Sequence, residues 1–164
     1  MSTIRLTFHV NAPLEQVAAL YRQLERVPEW QHDILEVKDA SGPPDHVGAT
    51  YTLVYRRMGR RLEQRMVVTR CEPPQLMQQT ANTPLGGQMT STTRLEPSRS
   101  GTEVHWQMDY RLPGGIVGAL LDRLLFRAAF ERTVREYNEN FQALAEGREP
   151  PHTPIARRRS PQSA

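Results

Sequence analysis

The chain has 164 residues, of which 38% are hydrophobic and 24% charged, which is the size and composition of one soluble globular domain and excludes a disordered or membrane-embedded chain. Its formal net charge of +3 is concentrated at one end: from Arg148 onward, Arg148, Arg157, Arg158 and Arg159 face only Glu149, so everything before them is neutral overall. A nucleic-acid-binding domain needs a basic face on its folded body, and no nucleic-acid partner is expected.

Taken in chain order, Ile4, Leu6, Phe8 and Val10 alternate with Thr3, Arg5, Thr7 and His9, the period-two pattern of a strand with one buried face. Asn11-Ala12-Pro13 stops that strand. Pro13 suits the first turn of a helix in which Leu14, Val17, Ala18, Tyr21 and Leu24 recur at helical spacing. The helix is expected to break near Val27-Pro28 and to lead through Glu29-Trp30 into a strand over Ile34 to Lys38. After a loop at Ser41 to Asp45, strands are expected over 49–57, 62–71 and 76–81, with turns at Met58-Gly59-Arg60 and Pro73-Pro74. A hairpin of 88–95 and 103–112 follows, closed by Ser98-Arg99-Ser100-Gly101. Pro113-Gly114-Gly115 ends the sheet, and one long helix is expected from Ile116 to Glu146. Residues 148–164 carry Pro150, Pro151, Pro154 and Pro161 beside the arginines and are expected to form a disordered tail, which leaves 1–147 as the folded domain. This order describes an α+β fold in which an antiparallel sheet curves around a helix.

Several local features occur in a particular order: Val10-Asn11-Ala12-Pro13, Glu15-Gln16-Val17, Pro28-Glu29-Trp30, Cys71-Glu72-Pro73-Pro74, Ser100-Gly101-Thr102-Glu103-Val104, and Leu112-Pro113-Gly114-Gly115 before the last helix. Together they resemble the polyketide cyclase/dehydrase-like branch of the START-like (SRPBCC) superfamily over residues 3 to 146. The resemblance implies a helix-grip fold, in which a curved seven-stranded antiparallel sheet wraps a long C-terminal helix and encloses an apolar cavity. It also implies a range of functions: binding of lipids, quinones, polyketides, sterols or plant hormones, cyclisation or dehydration of polyketides, or action on chaperones. Fold alone does not choose among them.

Strand parity indicates which residues line such a cavity. Val104, Trp106, Met108 and Tyr110 share one face of the last strand, and the same test turns Tyr51, Leu53 and Tyr55 inward, then Leu62, Gln64, Met66 and Val68, then Met89, Ser91, Thr93 and Leu95. A few hydroxyls and amides in an apolar setting suit a binding site. On the last helix Phe126, Phe130, Val134, Tyr137, Phe141 and Leu144 form one stripe, whereas Val117, Leu120, Leu121, Leu124 and Ala128 project to the opposite side. Either the helix kinks or breaks around 125–128, or the second stripe is an exposed patch. Such a patch would offer weak membrane or homodimer contact through Leu120, Leu121 and Leu124. Arg123 would then lie on the core face, where a guanidinium needs an anionic partner. The candidate ligand-binding residues are accordingly Trp30, Tyr51, Tyr55, Gln64, Met66, Met89, Ser91, Trp106, Met108, Tyr110, Arg123, Phe126 and Phe130.

Catalytic chemistry is less visible. His9, His32, His46, His105 and His152 are scattered and the one cysteine, Cys71, has no companion, so neither a metal site nor a disulfide is expected. There is no phosphate loop, dinucleotide fingerprint or nucleophile elbow, and no cofactor is expected. Thr3 to Val10 alternates where a secretory signal would run apolar, and Asp122, Arg123 and Arg127 interrupt the most apolar stretch; the expected location is cytoplasmic. The leading expectation is binding of a hydrophobic small molecule, such as a lipid, isoprenoid or polyketide, between the sheet and the C-terminal helix. The alternatives are a polyketide cyclase or dehydratase using Tyr51, Tyr55, Tyr110 or Arg123, and a chaperone-type protein-interaction module.

Overall fold

Seven strands, β1 (Ser2–Val10), β2 (Ile34–Lys38), β3 (Thr50–Arg57), β4 (Arg60–Glu72), β5 (Leu76–Asn82), β6 (Gln88–Ser98) and β7 (Gly101–Arg111), form one antiparallel sheet in the order β1-β7-β6-β5-β4-β3-β2. The computed structural model describes residues 1–57, 59–83, 86–111, 114 and 127–155. From β2 to β7 each strand pairs with its neighbour in the chain, and β1 closes onto β7. The two edge strands, β1 and β2, are therefore joined through helix α1 (Leu14–Arg22), a short 3-10 turn (Leu24–Arg26) and helix α2 (Val27–Trp30), which cross one end of the sheet. Helix α3 (Arg127–Ala145) packs against α2, β1 and α1. This is the helix-grip arrangement, α+β with a seven-stranded sheet around a C-terminal helix.

Two details differ from the sequence expectation. The first helix ends at Arg22, where Gln23 turns to ψ 82°, and Pro28 sits in the first turn of α2 instead of stopping a longer helix. The first turn is where a missing N–H costs no hydrogen bond. The second concerns the last helix, whose described part begins at Arg127; the expected stretch 116–126, the stripe at Leu120, Leu121 and Leu124, and the kink expected around 125–128 lie wholly or largely outside the described residues.

Strand register sets the concave face. One row across the sheet reads Tyr110, Met89, Ala81, Met66, Tyr51; the next reads Ile4, Met108, Ser91, Gln79, Val68; a third reads Leu6, Trp106, Thr93, Met77, Cys71. Parity thus holds on β3, β4, β6 and β7 as the sequence implies. A bulge between Val68 and Arg70 on β4 shifts the pattern by one residue, which is what brings Cys71 opposite Met77. At the β6–β7 turn a Cβ on Gly101 would fall 2.1 Å from the carbonyl oxygen of Val10, so only glycine fits there.

At the end crossed by α1 and α2 the interior is fully closed. Tyr21 stacks on Phe141 with centroids 4.0 Å apart, and Trp30 meets both rings edge-on at 5.7 and 5.2 Å; such aromatic contacts add to the burial of their area. Val10, Val17 and Val104 are fully buried beside them. Side-chain amides lock the end of α3 to the N-terminal elements: Gln142 donates to the carbonyl of His9 at 2.8 Å and Gln16 to that of Ala145 at 2.9 Å.

The packed part of the chain runs past 147, the boundary expected from composition. Asn140, with no exposed surface, donates to the carbonyls of Trp30 and His152 and accepts the backbone N–H of His152 at 2.8 Å. Ile155 N–H reaches the carbonyl of His32 at 2.8 Å, Pro154 is fully buried, and His152 meets Glu139 at 2.6 Å. Residues 148–155 therefore lie along α3 and α2 as a strap. Proline and arginine content hides this, because the contacts are made by backbone groups and by one asparagine on the helix.

Candidate functional site

At the other end of the sheet the same concave face is only part-covered. Met108, Tyr110 and Ile4 form a buried nucleus, against which Met89, Trp106 and Phe130 pack while remaining partly exposed. Phe130, from the first turn of α3, meets Tyr110 edge-on at 5.4 Å. Met89 belongs to both this cluster and the closed core, and so marks the junction between the two ends. Leu6 shares the inward face here and is likewise partly exposed; Phe8 and Tyr55, also partly exposed, pack on the closed core.

Polar groups are few and specific. Tyr51, 4% exposed, donates its hydroxyl to Gln79, and burial pushes its pKa above the ordinary tyrosine value. Gln64 is buried, with its amide nitrogen 3.0 Å from the sulfur of Met89 and 3.5 Å from the carbonyl of Asn82. Ser91 and Thr93 are buried between apolar rows. Deeper in the closed end, the Tyr21 hydroxyl and the Trp30 indole nitrogen are buried without hydrogen-bond partners among the described residues.

A group of ionisable side chains borders the part-covered end. Tyr137 of α3 donates its hydroxyl to Asp33, just ahead of β2, and burial together with that carboxylate holds the phenol un-ionised well above its usual range. Arg57, the last residue of β3, continues the inward row Tyr51, Leu53, Tyr55. Its guanidinium carbon lies 5.8 Å from the ring centre of Tyr55 and 5.9 Å from that of Phe130, cation–π distances, and it stands 3.6 Å from Asp33. Tyr55 is raised mainly by burial and lowered by Arg57.

The structure thus brings together Met89, Ser91, Trp106, Met108, Tyr110 and Phe130 of the expected set. Tyr51, Tyr55, Gln64 and Met66 occupy adjoining positions on the same face, and Trp30 is packed into the closed core. Arg123 and Phe126 lie outside the described residues. Arg57, Asp33, Gln79 and Tyr137 were absent from the expected set; for Arg57 the signal was available, since it extends the β3 parity by one step. His105 lies on the opposite, outer face, 3.2 Å from the Thr7 hydroxyl and 3.5 Å from Glu103.

Two recesses are bordered by described residues. A cleft of about 30 Å³ between α1 and the β4–β5 turn is lined by Tyr21, Cys71, Leu76, Met77 and Thr93 among others, room for water only. A wider, open groove of about 320 Å³ is bordered by Arg65, Val67, Thr80, Ala81, Asn82 and Gln88. Neither is lined by the candidate residues. Among the described residues no helix is long and apolar enough to cross a membrane.

Comparison with known proteins adds the family. Residues 1–146 match the family described as polyketide cyclase/dehydrase and lipid transport. No curated protein sequence matches the chain. Among solved structures, a protein from Rhodobacter sphaeroides is similar with a TM-score of 0.70 and 20% identity, over 89% of this chain and 93% of that one. A protein of unknown function from Staphylococcus aureus aligns with a TM-score of 0.71 at 10% identity over 89% and 94%. Ara h 8.0201 aligns with a TM-score of 0.69 at 11% identity over 89% and 98%. At such identities the likeness concerns the fold. The match over residues 1–146, nearly the whole packed chain, means that the chain belongs to the polyketide cyclase/dehydrase and lipid transport family.

Proposed function

We propose that this protein binds a hydrophobic small molecule, of the lipid, isoprenoid or polyketide kind, on the concave face of the sheet at the end bordered by Met89, Trp106, Tyr110, Phe130 and Tyr55. One observation carries the reading: large apolar side chains that strand parity turns inward, among them Leu6, Met89 and Trp106, remain partly exposed, whereas the same face is closed by buried residues at the α1–α2 end. An apolar surface that the described residues leave part-covered is one that a ligand stabilises by covering, at roughly 25 cal/mol per Å² buried. The buried hydroxyl of Ser91 and the amides of Gln64 and Gln79 would supply the sparse polar points that orient a mostly apolar guest. Membership of a family described by lipid transport and polyketide chemistry supports the same class of ligand.

The test is native mass spectrometry of the gently purified chain before and after organic extraction, followed by incubation of the extracted protein with 1-dodecanol. A lipid-sized adduct that extraction removes, or uptake of one dodecanol per chain, is the expected result. A bare mass throughout, with no uptake, overturns the reading.

A further inference from the structure

Most arginines with a carboxylate partner in this structure use it fully. The guanidinium groups of Arg26, Arg70, Arg127 and Arg148 donate charge-assisted hydrogen bonds of 2.5 to 3.1 Å to Glu29, Glu72, Glu131 and Glu146. Arg57 behaves differently. Its nearest carboxylate oxygen, Oδ2 of Asp33, is 3.6 Å away, beyond hydrogen-bond distance, while the other oxygen, Oδ1, accepts the Tyr137 hydroxyl. The guanidinium is held instead by the faces of Tyr55 and Phe130. Among the described residues its planar fork of donors makes no hydrogen bond, although the group is fixed in direction by two rings and one ion pair.

Position gives this fork a purpose. Arg57 ends the inward row of β3, and Phe130, which it covers, also packs on the Met108–Tyr110 nucleus. The cation therefore stands at the border of the part-covered apolar face, within reach of a molecule whose body lies on that face. A guanidinium with unfilled donors recognises a carboxylate in a planar, two-point manner. Asp33 beside it offsets one charge and so disfavours a dianionic phosphate relative to a monoanion.

We propose that Arg57 selects a carboxylate-terminated amphiphile, whose apolar chain covers Met89, Trp106 and Phe130 and whose carboxylate meets the guanidinium. This rests on the hydrophobic-ligand reading and specifies its ligand class. The competing account of Arg57, that its stem merely shields the two rings from water, predicts no preference between an acid and an alcohol of the same chain.

The experiment compares dodecanoate with 1-dodecanol, both below their aggregation limits at pH 8, by competitive displacement of a fluorescent apolar probe from the full chain. Wild-type protein is expected to bind dodecanoate roughly tenfold or more tightly than dodecanol, the scale of a charge-assisted hydrogen bond. In Arg57→Gln the preference falls to about onefold, with an unchanged circular dichroism spectrum showing that the variant is folded; Arg57→Lys retains part of it. Equal binding of acid and alcohol by the wild type, or a preference that survives in Arg57→Gln, overturns the role of Arg57 and leaves the hydrophobic-ligand reading standing. Binding of neither probe overturns both.

Discussion

The two ends of this sheet obey the same alternation of inward and outward residues yet reach opposite outcomes. At one end α1 and α2 cover the concave face together with the last helix, and Phe141, Val17 and Val104 lose all contact with water. At the other, Met89, Trp106 and Phe130 point the same way and keep part of their surface. The difference lies in what covers the face: the strand pairing that aligns Tyr110, Met89, Ala81, Met66 and Tyr51 in one row is regular, and the one shift in β4, between Val68 and Arg70, lies outside that row. One end is thus closed and the other part-covered among the described residues, and if the second receives a ligand, as proposed above, the two should respond differently to truncation.

The largest effect is expected at the closed end. Phe141→Ala removes the ring that stacks on Tyr21 and abuts Trp30, and should cost about 3–5 kcal/mol in urea unfolding; a loss under about 1 kcal/mol would dissolve the distinction between the ends. Asn140→Ala leaves the Trp30 carbonyl and the His152 backbone without their partners. A loss of about 2–3 kcal/mol is expected, together with faster trypsin cleavage after Arg148 as the strap comes free. Unchanged cleavage would mean that the strap is held elsewhere.

Alkaline stability probes the same core by its buried phenols. The pKa of Tyr21 is raised by burial, so above a pH of about 10 the unfolded chain gives up this proton while the folded chain keeps it. Stability is full below that pH and falls above it by about 1.4 kcal/mol per pH unit for this residue alone. Unfolding curves at pH 9, 10 and 11 should show Tyr21→Phe escaping that share of the decline; parallel losses in both proteins would contradict it.

Smaller changes sharpen the contrast. Trp106→Leu, at the part-covered end, should cost only about 1 kcal/mol of stability but weaken binding of an apolar probe by roughly tenfold. Equal loss at both properties would make Trp106 a core residue. Tyr21→Phe at pH 7 should leave stability within about 1 kcal/mol of wild type or raise it, since the hydroxyl it removes is buried without a partner.

Much of this was legible in the sequence, and for a physical reason. Strand parity is a local rule, so the inward sets on β3, β4, β6 and β7 follow from two-residue alternation alone. What alternation leaves open is how completely each inward side chain is covered, because that depends on elements far away in the chain. Met66 and Met89 read alike in sequence and are neighbours of Ala81 in one row, yet only Met66 is fully enclosed. Trp30 looked like a ligand contact and is part of the closed core. Asn140 lies outside the apolar stripe read on the last helix, and its burial follows from the strap that it binds. Arg57 lies one step beyond the inward set Tyr51, Leu53 and Tyr55 on the same parity, and its ring contacts with Tyr55 and Phe130 depend on a helix far away in the chain.

The central claim is that the part-covered end, and not the closed one, receives a hydrophobic guest. Trp30→Phe leaves Trp106 as the only tryptophan, since the chain has two, and fluorescence of that variant during titration with 1-dodecanol reads this end directly. The account predicts a saturable blue shift of the Trp106 emission as water leaves its ring; binding detected by mass with no change in Trp106 emission would contradict it.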